Sequence, residues 1–104
     1  MQRVAFLLKV KAGHEAEYKS RHAHLWPEMS AALTASGMRN YSIFLLGTQL
    51  IAYCEVDDWQ DTLRQLDSSD VNKKWQQYMS DILDVPLDPA TQSFFLLEEM
   101  FHHN

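Results

Sequence analysis

The chain has 104 residues, enough for one domain and too few for two. A net charge of -5 with dispersed acidic residues and no basic patch argues against nucleic acid or an anionic membrane surface as a partner. An apolar fraction of 46% with three tryptophans is generous for so thin a core, and the surplus predicts a further buried surface, most simply a second copy of the chain.

Residues 3–10 read as a strand, with Val4, Phe6, Leu8 and Val10 on one face and Ala5, Leu7 and Lys9 on the other. Lys9 and Lys11 interrupt this start before a secretory core could form, so the cytoplasm is the expected compartment. The apolar stretches at 6–8 and 43–46 are strand-sized and too short to span a bilayer. Gly13 ends a turn, and residues 14–22 read as a helix with Glu15, Glu17, Lys19 and Arg21 on its wet side. Pro27 suits the first turn of a second helix, 27–36, whose stripe is Met29, Ala32 and Leu33 and whose left-handed stop is Gly37.

Strands follow at 40–46 and 50–56, joined by a hairpin turn at Gly47, Thr48 and Gln49. Cys54, the single cysteine, forbids an internal disulfide, and its apolar neighbours predict a small buried hydrophobe rather than a reactive thiol. Asp57 or Asp58 caps a helix carrying Trp59, Leu63 and Leu66 on one face. Ser68, Ser69 and Asp70 break it and open another, with Val71, Trp75, Tyr78, Met79 and Ile82 as its stripe. Residues 85–89 read as an irregular loop and 93–100 as a final strand.

The order is β-α-β-β-α-β, each helical stretch broken in two. Such a single α+β domain over residues 1–104 makes a four-stranded antiparallel sheet with helices on one face. Its other face carries too many large side chains for water. Two such sheets packed face to face would bury it, giving a dimeric α+β barrel and a homodimer through the open sheet face.

The most informative segment is Tyr18 to Glu28. Tyr18 and His22, four residues apart, share one helical face. A phenol beside an imidazole is a proton-handling pair, because histidine titrates nearest neutrality. The same pair is often only structural. What favours chemistry is its place near a helix end, just before the chain turns at Leu25, Trp26 and Pro27. Trp75 lies on an apolar stripe and Tyr41 shares a strand face with Ile43 and Leu45, so packing and ligand contact are both open for them.

The pattern Tyr18, His22, Trp26, Pro27, Glu28 resembles the hallmark of the L-rhamnose mutarotase family. Two further blocks agree in order and approximate spacing: Asn40 to Ile43, then Asp70 and Val71 followed by Trp75, Tyr78 and Met79. The resemblance covers almost the whole chain. It implies a ferredoxin-like α+β fold, a dimer, no cofactor and a monosaccharide substrate. It implies His22 as proton donor, with sugar contacts from Tyr18, Tyr41 and the tryptophan block. There the sequence departs from the family's paired tryptophans, since Trp75 is followed by Gln76, which would offer an amide to a sugar hydroxyl.

The chemistry suits these residue types. Anomer exchange needs a base on the anomeric hydroxyl and an acid on the ring oxygen, without metal or redox step. His22 is read as the main acid/base, Tyr18 as orienting or relaying the proton, and Tyr41 and Trp75 as the platform under the pyranose. No metal is expected, because His22 with His24 and His102 with His103 lack cysteine or carboxylate partners at ligand spacing. Glu28 is read as supporting the N-terminus of the second helix. Two alternatives share the fold: a cofactor-free monooxygenase or haem-degrading enzyme, and a dimer that binds a sugar without turning it over.

Overall fold

The computed structural model describes all of residues 1–104. In chain order the elements are β1 (Gln2–Val10), α1 (Glu15–Ala23), α2 (Pro27–Ala35), β2 (Arg39–Leu46), β3 (Gln49–Val56), α3 (Trp59–Asp67) and α4 (Asp70–Met79), then three short strands, β4 (Leu83–Asp84), β5 (Leu87–Asp88) and β6 (Ser93–Phe94). The main sheet has the order β2-β3-β1-β4, antiparallel throughout, as the β-α-β-β-α-β reading requires.

Local chemistry sets the helix boundaries. Asp58 accepts hydrogen bonds from the Gln60 and Asp61 amides at the start of α3, and the Ser69 hydroxyl accepts one from Asn72 at the start of α4. Pro27 opens α2, and Trp26 before it is extended (φ -61°, ψ 136°), the backbone region favoured before proline. The α1–α2 break therefore sits at His24 and Leu25. Gly37 (φ 93°) ends α2, and the buried Thr62 hydroxyl donates to the Ser36 carbonyl at 2.7 Å, tying α2 to α3.

The helix-facing side of the sheet is the core. Val4, Phe6, Leu8 and Val10 of β1 alternate with half-buried or exposed residues, and Leu50, Ala52, Cys54 and Val56 do the same on β3. The helices close over them with Tyr18, Met29, Trp59, Trp75 and Met79. Each large aliphatic or aromatic side chain buried here contributes about 1.5–3 kcal/mol. Cys54 is fully buried, and burial lifts its thiol to about 11, so it packs as a small hydrophobe. On the opposite face Arg3, Ala5 and Leu7 pair with Glu55, Tyr53 and Ile51, and Phe44 and Leu46 stand 63% and 73% exposed.

The C-terminal region differs from the expectation. Residues 93–100 do not form one strand, and the expected loop contains a strand. The edge of β1 is covered in two pieces: Leu83 and Asp84 pair with Val10 and Lys9, while Phe95 and Leu97 bond to Leu7 and Ala5 around a Phe6–Leu96 bridge. Between them the chain leaves the sheet as a small hairpin, Leu87 and Asp88 against Phe94 and Ser93. The hairpin seats Phe94 against the core, 4.7 Å from the Phe6 ring. In addition α4 stops at Met79, so Ile82 is buried from the following turn, and Tyr78 lies off the buried stripe, 44% exposed.

Candidate active site

Helix α1 has its acidic residues in the first turn and basic ones in the last, and its one buried side chain is Tyr18. One turn on, the His22 imidazole lies nearly parallel to the Tyr18 ring, 4.3 Å between centroids and 25° between planes. His22 Nδ1 is 3.1 Å from the Tyr18 carbonyl oxygen. A carbonyl only accepts, so Nδ1 carries the proton and Nε2 presents its lone pair. Trp75 of α4 meets the imidazole edge-on at 5.4 Å and 88°.

Around this pair the wall is aromatic. Trp26, held by the turn before Pro27, meets Trp75 edge-on at 5.1 Å, and Tyr78 packs 5.4 Å from Trp26 and 5.6 Å from Trp75. The Arg21 guanidinium lies 4.5 Å above the Tyr78 ring centroid. Its nitrogens donate to the Tyr78 carbonyl (2.8 Å), both oxygens of Asp81 (2.9 and 3.2 Å) and Glu17 (2.6 Å). Arg21 thus pins α1 to the end of α4. Tyr41 reaches in from β2, half-buried against Phe6.

Burial sets the protonation states. It pushes the Tyr18 phenol up to about 12 and Tyr41 higher still, Tyr41 being raised further by the nearby Tyr18, whose charge would oppose its own. Burial lowers His22 below the usual histidine value, with the bond to the Tyr18 carbonyl acting in the opposite direction. At neutral pH the group is therefore two protonated phenols and one neutral imidazole. The Tyr18 and Tyr41 hydroxyls, His22 Nε2 and the Trp75 indole nitrogen have no hydrogen-bond partner in the chain, and none is sealed from solvent. Such polar atoms, held by rigid aromatic neighbours, are equipped to receive a hydroxylated ligand.

Tyr18, His22 and Trp75 thus come together, with Tyr41 opposite them on the sheet. Gln76 does not join them. It is exposed, and its amide donates to Asn72 one turn back at 3.3 Å. Sequence reasoning gave Trp26, Tyr78 and Arg21 no role at the site. Their signal was present as Arg21 three residues after Tyr18 and Tyr78 three after Trp75, spacings that bring side chains onto shared helix faces. Two open clefts of about 280 Å³ lie elsewhere, one lined by Arg3, Tyr53, Leu97 and Phe101, the other by Leu7, Gln49 and Pro86. His24 bonds back to the Ser20 carbonyl on its own helix, and His102 to Asn104. No group of three or more His, Cys, Asp or Glu side chains is placed to hold a metal ion.

Comparison with known proteins gives a consistent picture. The family model "L-rhamnose mutarotase" matches residues 3–103. L-rhamnose mutarotase of Bacteroides thetaiotaomicron is 36% identical over 103 residues, 98% of each chain, and that of Flavobacterium johnsoniae 42% over 104 residues, 96% of this chain and 94% of its own. The crystal structure of L-rhamnose mutarotase FA22100 from Formosa agariphila superposes over the whole of both chains with a TM-score of 0.80 and 33% identity. Tetracenomycin F2 cyclase from Streptomyces glaucescens, 13% identical, shares the fold alone, with a TM-score of 0.71 over all of this chain and 98% of that one. None of these matches favours the oxygenase alternative.

Proposed function

The chain belongs to the L-rhamnose mutarotase family, and on that premise we propose that it interconverts the α and β anomers of L-rhamnose, or a related deoxyhexose, through the group built on His22. The observation that carries the reading is the convergence of His22 Nε2, the Tyr18 phenol, Tyr41 and Trp75, with their polar atoms unpartnered in the chain.

In ring opening, a proton leaves the anomeric hydroxyl, its electron pair forms the C1 carbonyl, the bond from C1 to the ring oxygen breaks, and that oxygen takes a proton. Rotation about C1–C2 and reclosure with the steps reversed gives the other anomer. His22 is the proton-exchanging group. It is neutral at cellular pH with Nε2 as acceptor, and becomes the donor once protonated. Tyr18, still protonated at that pH, orients the reacting oxygen by donating to it. Trp75 and Tyr41 face the apolar side of the pyranose and its methyl group. Only protons move, so the chemistry calls on no cofactor. Positioned acid–base help of about 10²–10⁴-fold is enough for a reaction that water already permits.

The working form is proposed to be a homodimer in the cytoplasm, with Phe44 and Leu46 of the open sheet face covered by the second copy. The catalytic reading is tested by NMR saturation transfer between anomer signals of L-rhamnose, L-fucose, D-glucose, D-galactose and D-ribose. L-rhamnose or a close deoxyhexose is expected to exchange faster with protein than without. If every sugar keeps its buffer rate, the reading is wrong.

A further inference from the structure

Between Arg39 and Ser42 the pairing of β2 with β3 slips by one residue: Arg39 faces Glu55 and Ser42 faces Tyr53, so Asn40 and Tyr41 together oppose the single residue Cys54. This is a β-bulge, and Asn40 is its left-handed residue, with φ 50°. The slip decides which way Tyr41 points. Strand side chains alternate with period two, so a regular strand continuing from Arg39 would put Tyr41 and Ile43 on the open face and Ser42 and Phe44 on the helix side. The extra residue reverses that. Tyr41 and Ile43 pack against the core, while Ser42 and Phe44 are exposed.

Asn40 suits the position for two reasons. Asparagine tolerates the left-handed region better than most residues. Its side-chain amide also donates at 2.6 Å to the Glu55 carboxylate, which accepts the Tyr53 hydroxyl at 2.8 Å as well. That carboxylate is held below its usual range by these two bonds, so it stays an acceptor at neutral pH.

We infer that Asn40 is a positioning residue of the sugar site, its left-handed backbone building the bulge that turns Tyr41 toward Tyr18, with the bond to Glu55 as a minor support. The inference rests on the reading of Tyr41 as a sugar contact, and its test separates the two. Asn40→Val, whose branched side chain opposes a positive φ, is compared with Asn40→Gly, which accepts one freely. Asn40→Ala serves as a milder form if the valine variant does not fold. The NMR signal of ring-labelled Tyr41, assigned with Tyr41→Phe, reports the phenol's surroundings without any sugar, and anomer exchange gives KM and kcat.

Asn40→Val is expected to shift the Tyr41 signal toward a solvated tyrosine and to raise KM about tenfold with kcat changed by less than about threefold, whereas Asn40→Gly stays within about twofold of the parent. An unmoved Tyr41 signal in Asn40→Val, or equal damage from valine and glycine, overturns the inference. A moved signal with unchanged KM upholds the aiming role of Asn40 and instead removes Tyr41 from the sugar site.

Discussion

The His22 imidazole is fixed twice by the same residue: its ring stacks on the Tyr18 phenol at 4.3 Å, and its Nδ1 is bonded to the Tyr18 carbonyl at 3.1 Å. One contact sets the plane of the ring, the other its tautomer. Because the carbonyl accepts from Nδ1, the basic nitrogen is Nε2, on the other side of the ring. Tyr18 thus governs His22 with its backbone as well as its side chain.

The first prediction concerns pH. Burial depresses the folded-state value of His22 below 6.5, so between the two values the unfolded chain binds more protons than the folded one. The stability from keeping His22 neutral is therefore fully present above pH 6.5 and is lost as pH falls through the depressed value. The acid limb of kcat/KM is expected to lie below 6.5 for the same reason. His22→Asn should lower exchange by about 10²–10⁴-fold while sugar binding persists, measured by saturation transfer and by sugar titration. An acid limb at or above 6.5 would contradict the burial argument.

Trp75 is 5% exposed and touches His22, Trp26 and Tyr78. Trp75→Ala should destabilise the fold by about 3–5 kcal/mol, read from the denaturant midpoint, because the cavity left behind is only partly refilled. Trp75→Phe should cost clearly less stability yet still raise KM, since it leaves part of the wall but removes the indole nitrogen. Equal stability of the alanine variant and the parent would show that Trp75 is not the packing centre of this wall.

Arg21 holds Glu17, Asp81 and the Tyr78 carbonyl together. Both carboxylates are held below their usual range by hydrogen bonds to the guanidinium, so this stabilising effect is present above the ordinary carboxylate value and is lost as pH falls through the depressed one. Arg21→Leu should lower the melting temperature at pH 7 and shrink that difference in acid. Arg21→Lys should recover only part, because an ammonium lacks the planar fork that serves several acceptors. Melting curves from pH 3 to 7 decide the matter, and a deficit independent of pH would remove the ion pairs from the explanation.

Phe44 and Leu46 stand out from the open face at 63% and 73% exposure. If a second copy covers them, Leu46→Lys and Phe44→Glu should each shift the protein toward a concentration-dependent monomer in sedimentation velocity. A parent protein that sediments as a monomer at micromolar concentration would dispose of the homodimer.

Much of this molecule was legible in its sequence, for identifiable reasons. The alternation in residues 3–10 separated Val4, Phe6, Leu8 and Val10 from Ala5, Leu7 and Lys9, and the first set is the buried face of β1. The hairpin turn read at Gly47, Thr48 and Gln49 is present, one residue tighter, since Gln49 already pairs with Leu46. The aspartates at 57 and 58, the break at 68–70, the proline at 27 and the glycine at 37 located four helix boundaries within a residue or two, the structure choosing Asp58 and Ser69 as the caps. All of these are local: a side chain bonds to its own neighbouring backbone, or a period follows from the geometry of one element.

What sequence reading missed is non-local. The apolar run after Ser93 reads as one strand, but β1 offers its edge in two places and the core offers Phe94 a seat beside Phe6, so the chain breaks into a hairpin. Gln76 follows Trp75 in sequence, and the packing of α4 with Trp75 inward leaves it on the exposed face. Tyr41 was rightly grouped with Ile43, but only the slipped register at Asn40 turns that face inward. The sequence by itself determined the elements up to α4, the family and the shared helix face of Tyr18 and His22, because these depend on residues a turn or two apart. Tertiary structure decided how the rest of the wall is assembled, because Trp75 and Tyr41 reach that pair through helix packing and strand register, and Arg21 ties Tyr78 and Asp81 to α1, between segments tens of residues apart.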